Sequence, residues 1–274
     1  MSKENIFEKA ENGFHNVNRN IFGVWLPEKL YPIIKISDKT QRKIEEIQEY
    51  LGKNESSNIL WYGNHNSRAE PFLVGYMVGK IDPNKKRHVV TAIGADYLDY
   101  KKLPKNCLSV IEYQIVRCCG LETLPVIQTD KDGKPINGHT LAEASEYFAK
   151  FTNRLIELVD NDQPTAVILF PEGTRSEDGK LQKAKPSIVR IAETLSRNTQ
   201  TICIPIGTIF DEGYERDSMN IGREVEMTVG DPYIMEKGVL VHKTRIATLW
   251  MQNLANVLLP NMQGYYEEMP QVRV

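Results

Sequence analysis

Short runs of β-branched and apolar residues alternate with amphipathic stretches along most of this chain, and few folds accommodate that pattern. Residues 58–62, 88–93, 123–128, 165–170, 201–208 and 225–229 read as strands. Between and around them, residues 38–51, 71–80, 141–159, 187–196 and 243–259 read as helices. In the first of these Ile44, Ile47 and Leu51 share a face and Gly52 is the expected stop; in the third Leu141, Ala144, Phe148 and Leu155 lie near one face. Strands that alternate with helices do not pair as tight hairpins. They pair across helical crossovers, which makes the sheet largely parallel. The expected fold is therefore α/β, a mostly parallel central sheet flanked by helices. A helical segment over 1–52 precedes the main domain over 53–274, and no repeat or linker divides the latter.

The composition, 41% hydrophobic and 26% charged, excludes collagen, low-complexity disorder and a disulfide scaffold. With 34 basic and 36 acidic residues the net charge is −2, so there is no bulk attraction for nucleic acid. Any anion bound here must meet a local cluster. The longest purely apolar runs, such as 166–170 and 257–259, are far shorter than the roughly twenty residues of a spanning helix. The first residues carry acidic groups with no apolar stretch behind them, so no secretory signal is expected. Cys107, Cys118, Cys119 and Cys203 lack any Cys-x-x-Cys spacing and read as buried thiols in a reducing cytoplasm. Near the start, Phe14, Val17, Ile21 and Trp25 recur at helical spacing, interrupted at Pro27 and Pro32. That stretch reads either as a helix packed on the body or as an interfacial surface. The second reading follows from Phe22, Trp25 and Tyr31 standing among Arg19, Lys29 and Lys35.

Two turns carry candidate chemistry. The first, Asn64-His65-Asn66-Ser67-Arg68-Ala69-Glu70-Pro71, follows a strand directly and leads into a helix. An imidazole at a strand end can face a cleft, and a carboxylate on its far nitrogen would fix the tautomer and stabilise the imidazolium. Glu70 also has a purely structural reading, as the far half of a capping box opened by Ser67. Pro71 argues against it: proline fits best at the first helical position, which would make Glu70 the N-cap.

The second turn empties from a buried strand into Phe170-Pro171-Glu172-Gly173-Thr174-Arg175-Ser176, with Lys180, Lys183 and Lys185 close behind. Gly173 permits close backbone approach, Arg175 offers a two-pronged donor to phosphate or carboxylate, and the lysines add positive potential. A solvated β-turn with Ser176-Glu177-Asp178-Gly179 at its tip is the alternative.

Taken in order, Asn-His-x-Ser-x-x-Glu-Pro and Phe-Pro-Glu-Gly-Thr-Arg-Ser about a hundred residues later resemble the lysophospholipid and glycerol-3-phosphate acyltransferases, the lysophosphatidic-acid-acyltransferase-like enzymes. The likeness runs over roughly 55–210 and includes Asp178-Gly179-Lys180-Leu181 and Ile204-Pro205-Ile206. Two departures stand out. Glu70 replaces the family's usual aspartate, and the stretch from Gly120 to Asp130 lacks the arginine usual there.

The resemblance implies acyl transfer from acyl-CoA or acyl carrier protein to a hydroxyl of glycerol-3-phosphate or a lysophospholipid. His65 would be the base and Glu70 its orienting partner, in a direct ternary-complex reaction that needs neither metal nor cofactor. Glu172, Gly173, Thr174, Arg175, Ser176, Lys183 and Lys185 would line the substrate site, with Glu172 and Arg175 holding the acceptor. The missing arginine leaves open a non-phosphate acceptor, and the aspartate-to-glutamate change a catalytically silent lipid-binding protein. Lipid substrates imply a peripheral place on the cytoplasmic face of a membrane, reached through residues 14–35.

Overall fold

A computed structural model describes residues 26–82, 87–95, 121–130, 133–211, 215 and 218–270. The elements run α1 (Leu26–Leu30), β1 (Ile33–Ile36), α2 (Asp38–Lys53), β2 (Asn58–Gly63), α3 (Glu70–Ile81), β3 (His88–Gly94) and β4 (Glu122–Val126). They continue with α4 (Leu141–Asp160), β5 (Thr165–Leu169), α5 (Ser187–Leu195), β6 (Thr201–Phe210), β7 (Glu224–Val229), β8 (Tyr233–Met235) and α6 (Lys243–Ala255). Two 3₁₀ turns, Pro260–Met262 and Gly264–Tyr266, follow.

The strands form one eight-stranded sheet in the order β1-β7-β6-β2-β5-β3-β4, with β8 beside β6. From β6 to β4 every pair is parallel. Alternation along β2 divides the core: Ile59 and Trp61 face α2 and α3, whereas Leu60 and Tyr62 face α4, α5 and α6. Each layer buries one apolar face of the sheet, which is what a parallel sheet requires. The expected α/β architecture is the one observed.

Local chemistry sets several boundaries. Thr140 and Glu143 form a reciprocal capping box at the start of α4. Gly52 does not stop α2, which continues to Lys53 and ends at Asn54. Pro125 sits in β4, an edge strand, where a missing N–H costs little. Pro205 lies in the central strand β6, at the gap where its outer neighbour changes from β8 to β7. Gly230 donates to the Pro205 carbonyl across that gap, and a Cβ on it would stand 2.8 Å from Pro205 Cγ.

The chain between 26 and 52 is not helical throughout. Ile33–Ile36 forms an edge strand parallel to β7, with Ile33 opposite Glu224. Lys35 of this strand pairs with Glu224. Tyr31 is buried at 1% exposure with its hydroxyl on the Met219 carbonyl, so it belongs to the core and not to an interfacial surface. Phe14, Val17, Arg19, Ile21, Phe22 and Trp25 lie outside the described residues, as do Cys107, Cys118 and Cys119; Cys203 is buried. No helix among the described residues is long and apolar enough to cross a membrane.

Candidate active site

β2 and β5 are parallel neighbours, but the chain leaves them in opposite directions, to α3 on one face and toward α5 on the other. Diverging connections open a crevice at the carboxyl ends of such strands, where open α/β sheets bind ligands. Both candidate turns stand there.

His65 follows β2 by two residues. Its ring stacks on Phe170 with centroids 4.4 Å apart, and its side chain is 14% exposed. Nδ1 lies 3.3 Å from Oε2 of Glu70, which is fully buried as the first residue of α3. The same carboxylate accepts the Ser67 amide, at 2.8 Å to Oε1 and 2.7 Å to Oε2. This is the backward-reaching half of a capping box. The other half is absent, because the Ser67 hydroxyl accepts from Ala69 instead. Ala69 is the N-cap and Pro71 the second helical residue, one position later than its sequence preference suggests. The structural and catalytic readings of Glu70 therefore coexist in one carboxylate. Asn64 fixes the strand end by exchanging hydrogen bonds with both backbone groups of Thr208.

The second turn wraps the first. The Ser176 amide donates to the His65 carbonyl at 2.7 Å, and the His65 amide donates to Glu172 Oε1 at 2.9 Å. Glu172 Oε2 accepts the Gln182 amide at 2.7 Å. Gly173 has φ of 77° in the left-handed region and stands against the Lys185 side chain. Lys185 donates its amide to the Pro171 carbonyl and its ammonium to the Asp130 carbonyl.

A cavity of about 180 Å³ opens beside His65. Phe148 and Phe151 of α4, Ile188 and Ile191 of α5, and Val126 and Leu169 at the strand ends give it an apolar wall. Gln128, Thr129, Lys185 and Ser187 add polar groups.

Of the residues expected in the site, His65, Gly173 and Lys185 line this cavity, with Glu70 behind the imidazole. Thr174 and Arg175 are half-buried outside its wall, and Lys183 is exposed. Glu172 is 2% exposed with both oxygens on backbone amides, so it braces the loops and lies outside the cavity lining. Ser176 is likewise 2% exposed, its hydroxyl engaged by Asp178 and the Lys180 carbonyl, and it is not a lining group. Sequence reasoning missed the cavity wall. Phe148 and Phe151, three apart on one amphipathic helix, were its readable trace.

Burial pushes the Glu172 carboxyl up to about 8, with the nearby Glu70 and Asp178 charges adding to the rise; the two amide hydrogen bonds oppose it. Since the folded state holds this proton more tightly than the unfolded chain, its contribution to stability is greatest below the ordinary glutamate value. It declines as pH rises toward about 8 and is then constant. Glu172→Gln should flatten this part of the melting-temperature curve against pH while lowering the whole curve, because the amide cannot accept both backbone donors. An unchanged slope would mean the carboxyl titrates normally.

A family model described as Acyltransferase matches residues 39–209. No curated protein sequence matches. Among solved structures, the 1-acyl-sn-glycerophosphate (LPA) acyltransferase PlsC from Thermotoga maritima aligns at 14% identity, over 92% of this chain and 95% of that one, with a TM-score of 0.42. The family match covers more than half of the chain and includes both the His65–Glu70 turn and the 171–185 loop that encloses it, so this protein belongs to the acyltransferase family.

Proposed function

We propose that the protein transfers a fatty acyl group from an acyl-CoA or acyl carrier protein thioester to a hydroxyl of glycerol-3-phosphate or a lysophospholipid. The observation that carries this reading is the imidazole of His65, backed by the buried Glu70 carboxylate, at an apolar cavity suited to an acyl chain. A carboxylate only accepts, so Nδ1 bears the ring hydrogen and Nε2 is left as the base. Nε2 takes the proton of the acceptor hydroxyl as its oxygen attacks the thioester carbonyl. The new C–O bond forms, the C–S bond breaks, and the proton passes from His65 to the departing thiolate. General base catalysis of this kind contributes about a hundred- to ten-thousand-fold. In this reading a backbone amide of the turn after Gly173 receives the developing oxyanion, and Arg175, beside that turn, meets an acceptor phosphate.

A non-phosphate acceptor is the second reading. It is favoured by the exit of β4, which brings Gln128 and Thr129 to the cavity, while Lys185 already donates to the Asp130 carbonyl. A matrix of acyl-CoA and acyl carrier protein donors against glycerol-3-phosphate, lysophosphatidate and amino alcohols tests both. Turnover only with amino alcohols selects the second, and no thioester release with any pair refutes acyl transfer. Lipid substrates place the protein at the cytoplasmic surface of a membrane.

The apolar wall of the cavity is where the acyl chain would lie. Ile191 is 4% exposed, lines the cavity and lies one turn into α5 from Ser187. Ile191→Phe should shift preference from palmitoyl toward butyryl thioesters by about tenfold in relative kcat/KM. An unaltered chain-length profile would place the acyl chain elsewhere.

A further inference from the structure

The C-terminal 3₁₀ turns lie against the loop that holds the site together. The Leu181 amide donates to the Met262 carbonyl at 2.9 Å, and the Leu181 carbonyl accepts the Tyr265 amide at 3.2 Å. Three residues on, the Ala184 amide donates to the hydroxyl of Tyr266 at 2.9 Å. Tyr266 is 5% exposed, so this hydroxyl answers a buried donor with little help from water. Gly264 has φ of 50°, and a Cβ there would meet the Leu181 carbonyl oxygen at 2.6 Å. The close approach of turn and loop depends on that missing carbon.

Between the two tethered residues lies Gln182, whose amide holds one oxygen of Glu172 while the other holds the His65 amide. Hydrogen bonds at Ala184 and Gln182, joined by the main chain between them, therefore tie Tyr266 through Glu172 to the main chain of the base. The family match stops at residue 209, so the turns lie outside it.

We propose that Pro260–Tyr266 is a latch on the active-site loop and that Tyr266 is a positioning residue for His65, acting through Gln182 and Glu172. Its kinetic consequence rests on the acyl-transfer reading; its structural consequence does not. Misplacing a reacting group by about an ångström costs up to about a hundredfold in rate, so a loosened latch should appear in kcat more than in substrate affinity.

Tyr266→Phe keeps the ring and removes the acceptor; Gly264→Ala drives the turn off Leu181. Tyr266→Phe should lower kcat about tenfold and Gly264→Ala more, with KM for the thioester changed by less than about twofold. Tyr266→Phe combined with Glu172→Gln should be no slower than Glu172→Gln alone, because both cut one series of contacts. Backbone amide hydrogen exchange should quicken at Gln182 and His65 in both latch variants. Unchanged kcat with unchanged His65 exchange, even with a lower melting temperature, would make the segment plain scaffolding and overturn the proposal. If the wild-type protein turned over no thioester, acyl transfer would fall while the exchange measurement still decided the latch: faster His65 exchange supports it and unaltered exchange overturns it.

Discussion

Replacing His65 with alanine is expected to reduce acceptor-dependent thioester release by about a hundred- to ten-thousand-fold and to leave the fold intact. The ring is the basic group at the cavity, and Glu70 fixes which of its nitrogens can take a proton. What the substitution removes from the structure is modest by comparison. The imidazole stacks on Phe170 and is partly exposed, whereas the backbone of residue 65 keeps its ties to Glu172 and Ser176. Circular dichroism and the melting temperature should therefore stay near wild type. Full activity in the purified variant, with acceptor present, would end the mechanism.

The second large effect concerns Glu70→Gln, for which a loss of about a hundredfold or more is expected. A carboxylamide has one accepting oxygen where the carboxylate has two. The Ser67 amide lies within reach of both Glu70 oxygens, and His65 Nδ1 shares one of them. If the amide oxygen stays on Ser67, the NH₂ group faces Nδ1 and donates to it. The ring hydrogen then moves to Nε2, and the base is lost through the wrong tautomer. Glu70→Asp keeps the charge and should retain more activity than Glu70→Gln, at the expense of reach. A silent Glu70→Gln would reduce this residue to a device for starting α3.

The sheet and both candidate turns are legible because they are written in local signals. Strands β2 and β5 are short apolar runs, each ending abruptly in a turn dense in polar residues. Glu172 shows where such reading ends. Its place beside Gly173 and Arg175 suggested a ligand contact, but on which side of a tight turn a carboxylate lies depends on amides supplied by residues 65 and 182. Tyr266 is less legible still, since only tertiary packing brings it to Ala184. Strands β1 and β8 escaped notice for a plainer reason. Runs of four and three residues are too short for a period of two to register, and half of β1 is exposed.

The pairing of β1 with β7 also constrains how the chain is made. Ile33 leaves the ribosome roughly two hundred residues before its partner Glu224. At ordinary elongation rates of about 5–20 residues per second, that is a delay of about 10–40 s. During it the growing chain holds an unpaired strand, and this edge of the sheet closes only once β7 has emerged. A nascent-chain intermediate with this edge open is the form most exposed to wrong pairing.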